Sequence, residues 1–181
     1  MRLFIAVDVD DNIRENLKPV LKTLVNYRGV KTVEPENIHI TIQFLGEVPE
    51  SKVSAITDKL SNVAEKFEPF TAKLEGIGFF PNRGKIRVVW AGIISDEIVR
   101  LAKAVRKEMM KLGFREDKEF IAHATLARIK KISPSDRDRI LKELDSFDVG
   151  GEWVIRDFKL KQSRLTPRGP IYTDVSVHRF D

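Results

Sequence analysis

The sequence predicts an α+β fold of two antiparallel lobes with helices packed outside and a cleft between them, and three observations carry that prediction. Strand-like alternation and helical periodicity take turns along the chain, and two strand pairs are joined by tight turns, which makes their pairing antiparallel. The third is a repeated phrase. His-x-Thr-x occurs in residues 37–48 (NIHITIQFLGEV) and again in residues 122–128 (AHATLAR), so that two of the three histidines share one frame.

Each element follows from local chemistry. Residues 2–9 alternate with almost no polar face, the mark of a strand buried on both sides. Asp10 or Asp11 caps a helix reaching about Tyr27, with Ile13, Leu17, Leu21 and Val25 at helical spacing. Residues 31–35 read as a connector into the first motif strand. There, strict alternation sends Ile38, Ile40, Ile42 and Phe44 to the core and His39, Thr41 and Gln43 to the opposite face. Gly46 and Pro49 end it, and Ser51 caps a helix through Val53, Ile56, Leu60, Val63 and Ala64.

Residues 70–79 form a strand with Ala72, Leu74 and Gly76 on one side, turned by Pro81-Asn82-Arg83-Gly84 into a hairpin with residues 85–93. Asp96 caps a helix to Leu112, closed by Gly113. The second motif strand sets His123 and Thr125 against Ala122, Ala124 and Leu126. Ser133-Pro134 opens a helix to Leu144, since proline costs nothing in a first turn. A strand over 152–162, a turn at 166–170 and a strand over 172–178 complete the chain. Each motif strand is followed by a turn and a capped helix, which reads as a degenerate internal duplication within a single two-lobed domain spanning 1–181.

Composition narrows the chemistry. At 42% hydrophobic the chain can bury a sizeable core, and the absence of cysteine excludes disulfides, thiolate catalysis and Cys-ligated metal. No apolar run approaches the ~20 residues of a membrane span and the N-terminus lacks a secretory pattern, so a cytoplasmic protein is expected. Thirty-two basic against 27 acidic residues, a net charge of +5, favour an anionic partner.

Two imidazoles on facing strands can hold one neutral base and one protonated acid together. That suits in-line displacement at phosphorus, where the nucleophile loses a proton as the departing oxygen gains one. A threonine two residues along the same face can donate to a non-bridging phosphate oxygen. No carboxylate shares those faces at ligand spacing, so no metal is expected. His178, near the C-terminus without a threonine, is expected at the surface. Arg128 is a phosphate ligand only if its strand twists or bulges, because alternation places it opposite His123. Phe79, Phe80 or Tyr172 can stack a terminal base, while Phe44 belongs to the core. Arg128, Lys130, Lys131 and the run Arg83, Lys85, Arg87 can follow a nucleic-acid backbone.

HITIQFLGEV and HATLAR together resemble the paired motifs of the two-histidine phosphoesterases, specifically the LigT-like RNA 2′,3′-cyclic phosphodiesterases, also known as 2′-5′ RNA ligases. The resemblance spans nearly the whole chain, including MRLFIAVDV, Gly78-Phe79-Phe80-Pro81 and the ending from Ser163 to Tyr172; Ala122 stands where many relatives have proline. It implies a bilobal α+β fold with pseudo-twofold symmetry and hydrolysis of a terminal RNA 2′,3′-cyclic phosphate to a 2′-phosphate without metal or cofactor. It further implies His123 as base, His39 as acid, and Thr41, Thr125 and Arg128 on the phosphate. Reverse ATP-independent joining of RNA ends is chemically allowed. The expected partner is RNA with a cyclic phosphate end, such as a tRNA fragment, met by a monomer away from membranes. The alternatives are another cyclic nucleotide or 2′-5′ oligonucleotide as substrate, or a non-catalytic module that binds RNA ends.

Overall fold

A strand without a polar face must be covered on both sides, and β1 (Arg2–Asp8) is: Leu3 to Val7 are each at most 2% exposed. The computed structural model describes all 181 residues. After β1 come α1 (Asp11–Leu24), β2 (Val30–Thr32), β3 (His39–Glu47), α2 (Glu50–Ala64), β4 (Phe70–Asn82) and β5 (Lys85–Ile94). The remainder is α3 (Asp96–Lys111), β6 (His123–Ile129), α4 (Pro134–Asp145), β7 (Gly150–Ile155), β8 (Asp157–Thr166) and β9 (Gly169–Arg179).

All strands join one curled antiparallel sheet in the order β7-β4-β5-β6-β3-β1-β8-β9, with β2 beside β6. The two motif strands, β3 and β6, are therefore neighbours at its middle, with three further strands outside each. Their ladder consists of one pair, Ile40 with Ala124. Beyond it β2 takes over the edge of β6, pairing Thr32 with Ala127, Lys31 with Arg128 and Val30 with Ile129. The sheet is thus wedged open at its centre. Helices α2 and α3 pack together and against β3, β8 and β9, while α1 packs against α4, β6 and β7. No helix is long and apolar enough to cross a membrane.

Several expectations require correction. The 31–35 segment is not a plain connector, since β2 is a strand; three residues are too few for periodicity to reveal. The long strand expected over 152–162 is two strands broken at Arg156, and they lie on opposite sides of the sheet, β7 against β4 and β8 against β1. Helix α1 stops at Leu24, leaving Val25 60% exposed, with Val20 and Leu24 completing the buried face. Asp10 is its cap, accepting from Ile13 N–H at 2.9 Å. Ser95, rather than Asp96, caps α3, and Pro49 occupies the cap position of α2 without a side-chain bond, so Ser51 lies within the first turn. Ser133 caps α4 as expected.

His178 is the largest departure. It is 3% exposed, stacked on Phe158 with ring centroids 5.2 Å apart, and its ring nitrogens meet Ser61 Oγ at 3.1 Å and Ser176 Oγ at 2.7 Å. A neighbourhood of two hydroxyls and a phenyl ring satisfies a neutral imidazole, and burial pushes its pKa below the ordinary value. The unfolded chain therefore binds this proton more readily. Stability should be complete above about pH 6.5 and fall as pH drops from there towards the folded-state pKa. In urea titrations across pH 5–8, His178→Gln should flatten that slope relative to wild type; an unchanged slope would contradict a buried neutral ring.

Candidate active site

Strict alternation would hide half of each motif, and both motif strands break it at the same place. In β3, Ile5 pairs with Gln43 and Ala6 with Thr41, leaving Ile42 as an unpaired extra residue. In β6, Val89 pairs with Ala127 and Trp90 with Thr125, leaving Leu126. The bulge turns the next exposed position back toward the motif face. Phe44, expected in the core, is 58% exposed and lines the cleft, whereas Gln43 is buried. Arg128 likewise joins His123 and Thr125 on the cleft, a placement that strict alternation would deny it. The two strands repeat one burial sequence, His and Thr half-buried, two buried residues, then an exposed Phe44 or Arg128.

A bulge leaves a carbonyl without a ladder partner, and that group needs another donor. Ile42 C=O accepts from Arg106 Nε at 3.2 Å and Nη2 at 3.1 Å, while Arg106 Nη1 donates to Lys118 O at 2.7 Å. Leu126 C=O accepts from Val33 N–H at 2.8 Å, in the segment following β2.

His39, Thr41, His123, Thr125 and Arg128 all line one cleft of about 520 Å³. The single ladder pair explains why: His39 and His123 directly precede Ile40 and Ala124, on a shared face. Each imidazole is oriented alike. His39 Nδ1 lies 2.7 Å from Asn37 O and His123 Nδ1 2.6 Å from Ile121 O. A carbonyl can only accept, so Nδ1 carries hydrogen and Nε2 is the basic nitrogen of the neutral ring. His39 Nε2 accepts from Thr41 Oγ1 at 3.0 Å; His123 Nε2 has no such partner.

Both histidines are held below the ordinary imidazole value, chiefly by burial, with the Arg128 charge contributing to each. Their surroundings otherwise differ. His39 lies against Phe4 and Tyr172, with Asp8 its neighbour across the ladder. Asp8 bonds Lys159 at 2.7 Å and Lys161 at 3.1 Å, and Lys161 in turn reaches Asp174 at 2.9 Å. His123 lies edge-on to Phe80 and Trp90. Phe79 is core, 8% exposed. Trp90 fits because its cross-strand neighbour is Gly78, where an added Cβ would stand 2.1 Å from the indole.

Asp8, Lys31, Arg106 and Lys161 lie around the two motifs without being singled out by the sequence. Their placement comes from partners distant along the chain, and no local pattern marks them.

The family described as LigT like Phosphoesterase matches residues 7–90 and 93–172. The chain belongs to the LigT-like phosphoesterases. A protein from Archaeoglobus fulgidus named RNA 2′,3′-cyclic phosphodiesterase is 54% identical to this LigT-like chain over 98% of it and 99% of the relative. One of the same name from Methanocaldococcus jannaschii is 40% identical over 95% and 96%. The crystal structure of TT0787 from Thermus thermophilus superposes with a TM-score of 0.84 at 32% identity, covering 99% of this chain and 98% of that one. E. coli LigT in its apo form shares the fold with a TM-score of 0.79 at 23% identity, over 99% and 96%.

Two substitutions test how this LigT-like site is held. Arg106→Met should cost about 1.5–3 kcal/mol in urea unfolding, the worth of hydrogen bonds made by a charged donor, and should lower kcat by loosening the strand that carries His39. Gly78→Ala should displace Trp90 from His123, cutting kcat more than it raises KM, with the change visible in the tryptophan fluorescence.

Proposed function

We propose that this chain hydrolyses the 2′,3′-cyclic phosphate at an RNA end to a 2′-phosphate by acid/base catalysis between His123 and His39. The observation that carries the reading is the pair of like-oriented imidazoles, each with Nδ1 tied to a carbonyl two residues back, facing one cleft beside two threonines and an arginine. His123, whose Nε2 is unengaged, takes the proton from the attacking water. The water oxygen bonds to phosphorus, the bond from phosphorus to O3′ breaks, and His39 delivers a proton to O3′. Thr41, Thr125 and Arg128 hold the non-bridging oxygens as charge collects on them. Burial and the Lys161 charge lower the His39 pKa, which makes its imidazolium a stronger acid, while Asp8 across the ladder partly offsets them.

The substrate end is read by shape and charge. Phe44 and Leu165, 58% and 67% exposed on the cleft, give a terminal base apolar surface. Tyr172, already packed against His39 and Phe4, is a wall of the site. Neither metal nor nucleotide cofactor enters the scheme, and reversal would join a cyclic end to a 5′-hydroxyl. We read residues 1–181 as one two-lobed domain built by duplication, on the strength of the matching bulges. It acts as a cytoplasmic monomer on RNA ends such as those of tRNA fragments.

His39→Ala and His123→Ala should each lower kcat on a nucleoside 2′,3′-cyclic phosphate by about 10²- to 10⁴-fold, measured in EDTA. Retained turnover in either variant would sink the two-histidine mechanism, and affinity without turnover in the wild type would make the protein an RNA-end binder. The pH profile of kcat/KM should be a bell lying below the ordinary histidine value of about 6.5, because both pKa values are lowered. A bell centred above that value would contradict the buried geometry.

A further inference from the structure

Outside the catalytic cleft, five cations converge on one groove whose walls contain no carboxylate. The groove, about 200 Å³, lies where the start of β5 and the end of β6 meet the first turn of α4, and its charged lining is Lys85, Arg87, Lys130, Lys131 and Arg137. Two basic runs distant along the chain are brought together by the pairing of β5 with β6. Asp145 is engaged with Arg83 outside the groove, and Asp138 pairs with Arg137, the one groove cation that has an acidic partner. Lys85, Arg87, Lys130 and Lys131 form no ion pair. Like charges held together in a concavity repel one another and raise the local potential, which an anion relieves.

The backbone under these lysines is fixed. Lys130 N–H donates to Gly29 O at 3.1 Å, and Gly29, at φ +85°, sits so near Lys131 that a Cβ would stand 2.0 Å from its carbonyl oxygen. The groove shares no lining residue with the active site but follows it directly along the chain. Arg128 and its ladder partner Lys31 line the catalytic cleft, and Lys130 follows two residues later, roughly 7 Å along an extended strand. Its uncharged lining is mainly Ile86, Ile129 and Ile132, which offer nothing to read a base edge.

We propose that this groove binds an internal phosphodiester of the RNA strand whose cyclic end occupies the catalytic cleft, giving a preference for oligonucleotides over mononucleotides that is independent of sequence. The inference rests on the catalytic reading above. It assigns Arg128 and Lys31 to the terminal phosphate region and Lys85, Arg87, Lys130 and Lys131 to the strand behind it.

The test compares a nucleoside 2′,3′-cyclic phosphate with a short oligoribonucleotide ending in the same group, using Lys130→Gln/Lys131→Gln, Lys85→Gln/Arg87→Gln and, as control, Lys103→Gln/Lys107→Gln on α3. In the groove variants kcat/KM on the mononucleotide should stay at the wild-type value. On the oligonucleotide, KM should rise with kcat retained, and the plot of log(kcat/KM) against log[salt] should become shallower by about 0.7 for each phosphate the groove no longer neutralises. Equal effects on both substrates, or an oligonucleotide KM and salt slope matching the control, would overturn the groove. Should the wild type turn over neither substrate, it is the catalytic reading that falls. Fluorescence anisotropy of the labelled oligonucleotide with the same variants then decides the groove by itself: affinity and salt slope reduced relative to the control support it, and values equal to the control refute it.

Discussion

The site depends on a defect placed twice. A regular β-strand shows every second side chain to one face, so a histidine, a threonine and a third residue on that face would fall at positions one, three and five. Here the third lies at position six of both strands, and one unpaired residue, Ile42 or Leu126, makes the difference. Without that slip Phe44 and Arg128 would point into the core, where a guanidinium has no partner. The slips are held by donors from quite different sources, an α3 arginine in one strand and a backbone N–H in the other. Equivalent geometry has been reached with unlike materials.

The two histidines share their orientation but not their electrostatic setting. Behind His39 stands a network of alternating charge, Asp8, Lys159, Lys161 and Asp174, of which Lys161 is only 8% exposed. A buried cation of this kind persists only because two carboxylates surround it. Behind His123 stand the rings of Phe80 and Trp90. Two histidines in the same His-x-Thr frame thus stand against unlike backgrounds, charged in one case and aromatic in the other.

What the sequence discloses is whatever is written within a few residues. The strands, hairpins, helix caps at Asp10 and Ser133, and the two His-x-Thr motifs are legible because alternation, capping and repetition are local. Phe44 reads as core because a bulge changes no residue type and so leaves no mark in the periodicity. His178 reads as a surface residue because its hydroxyl partners and its covering ring come from α2, β8 and β9. The division of residues 150–166 between two sides of the sheet is hidden because Arg156 interrupts the apolar pattern for a single position. The charge network around Asp8 is invisible for the same reason as His178, its members being joined only by the pairing of β1, β8 and β9.

The order of strands has a consequence for how the molecule comes into being. β4, made directly after the first motif and its helix, is laid beside β5, whereas β8, made after the second motif and its helix, returns to β1 near the N-terminus. Each half of the polypeptide completes the other's layer. A nascent chain emerging from synthesis therefore holds β1 with a bare edge until almost the last strand appears, and the enzyme cannot be matured one half at a time.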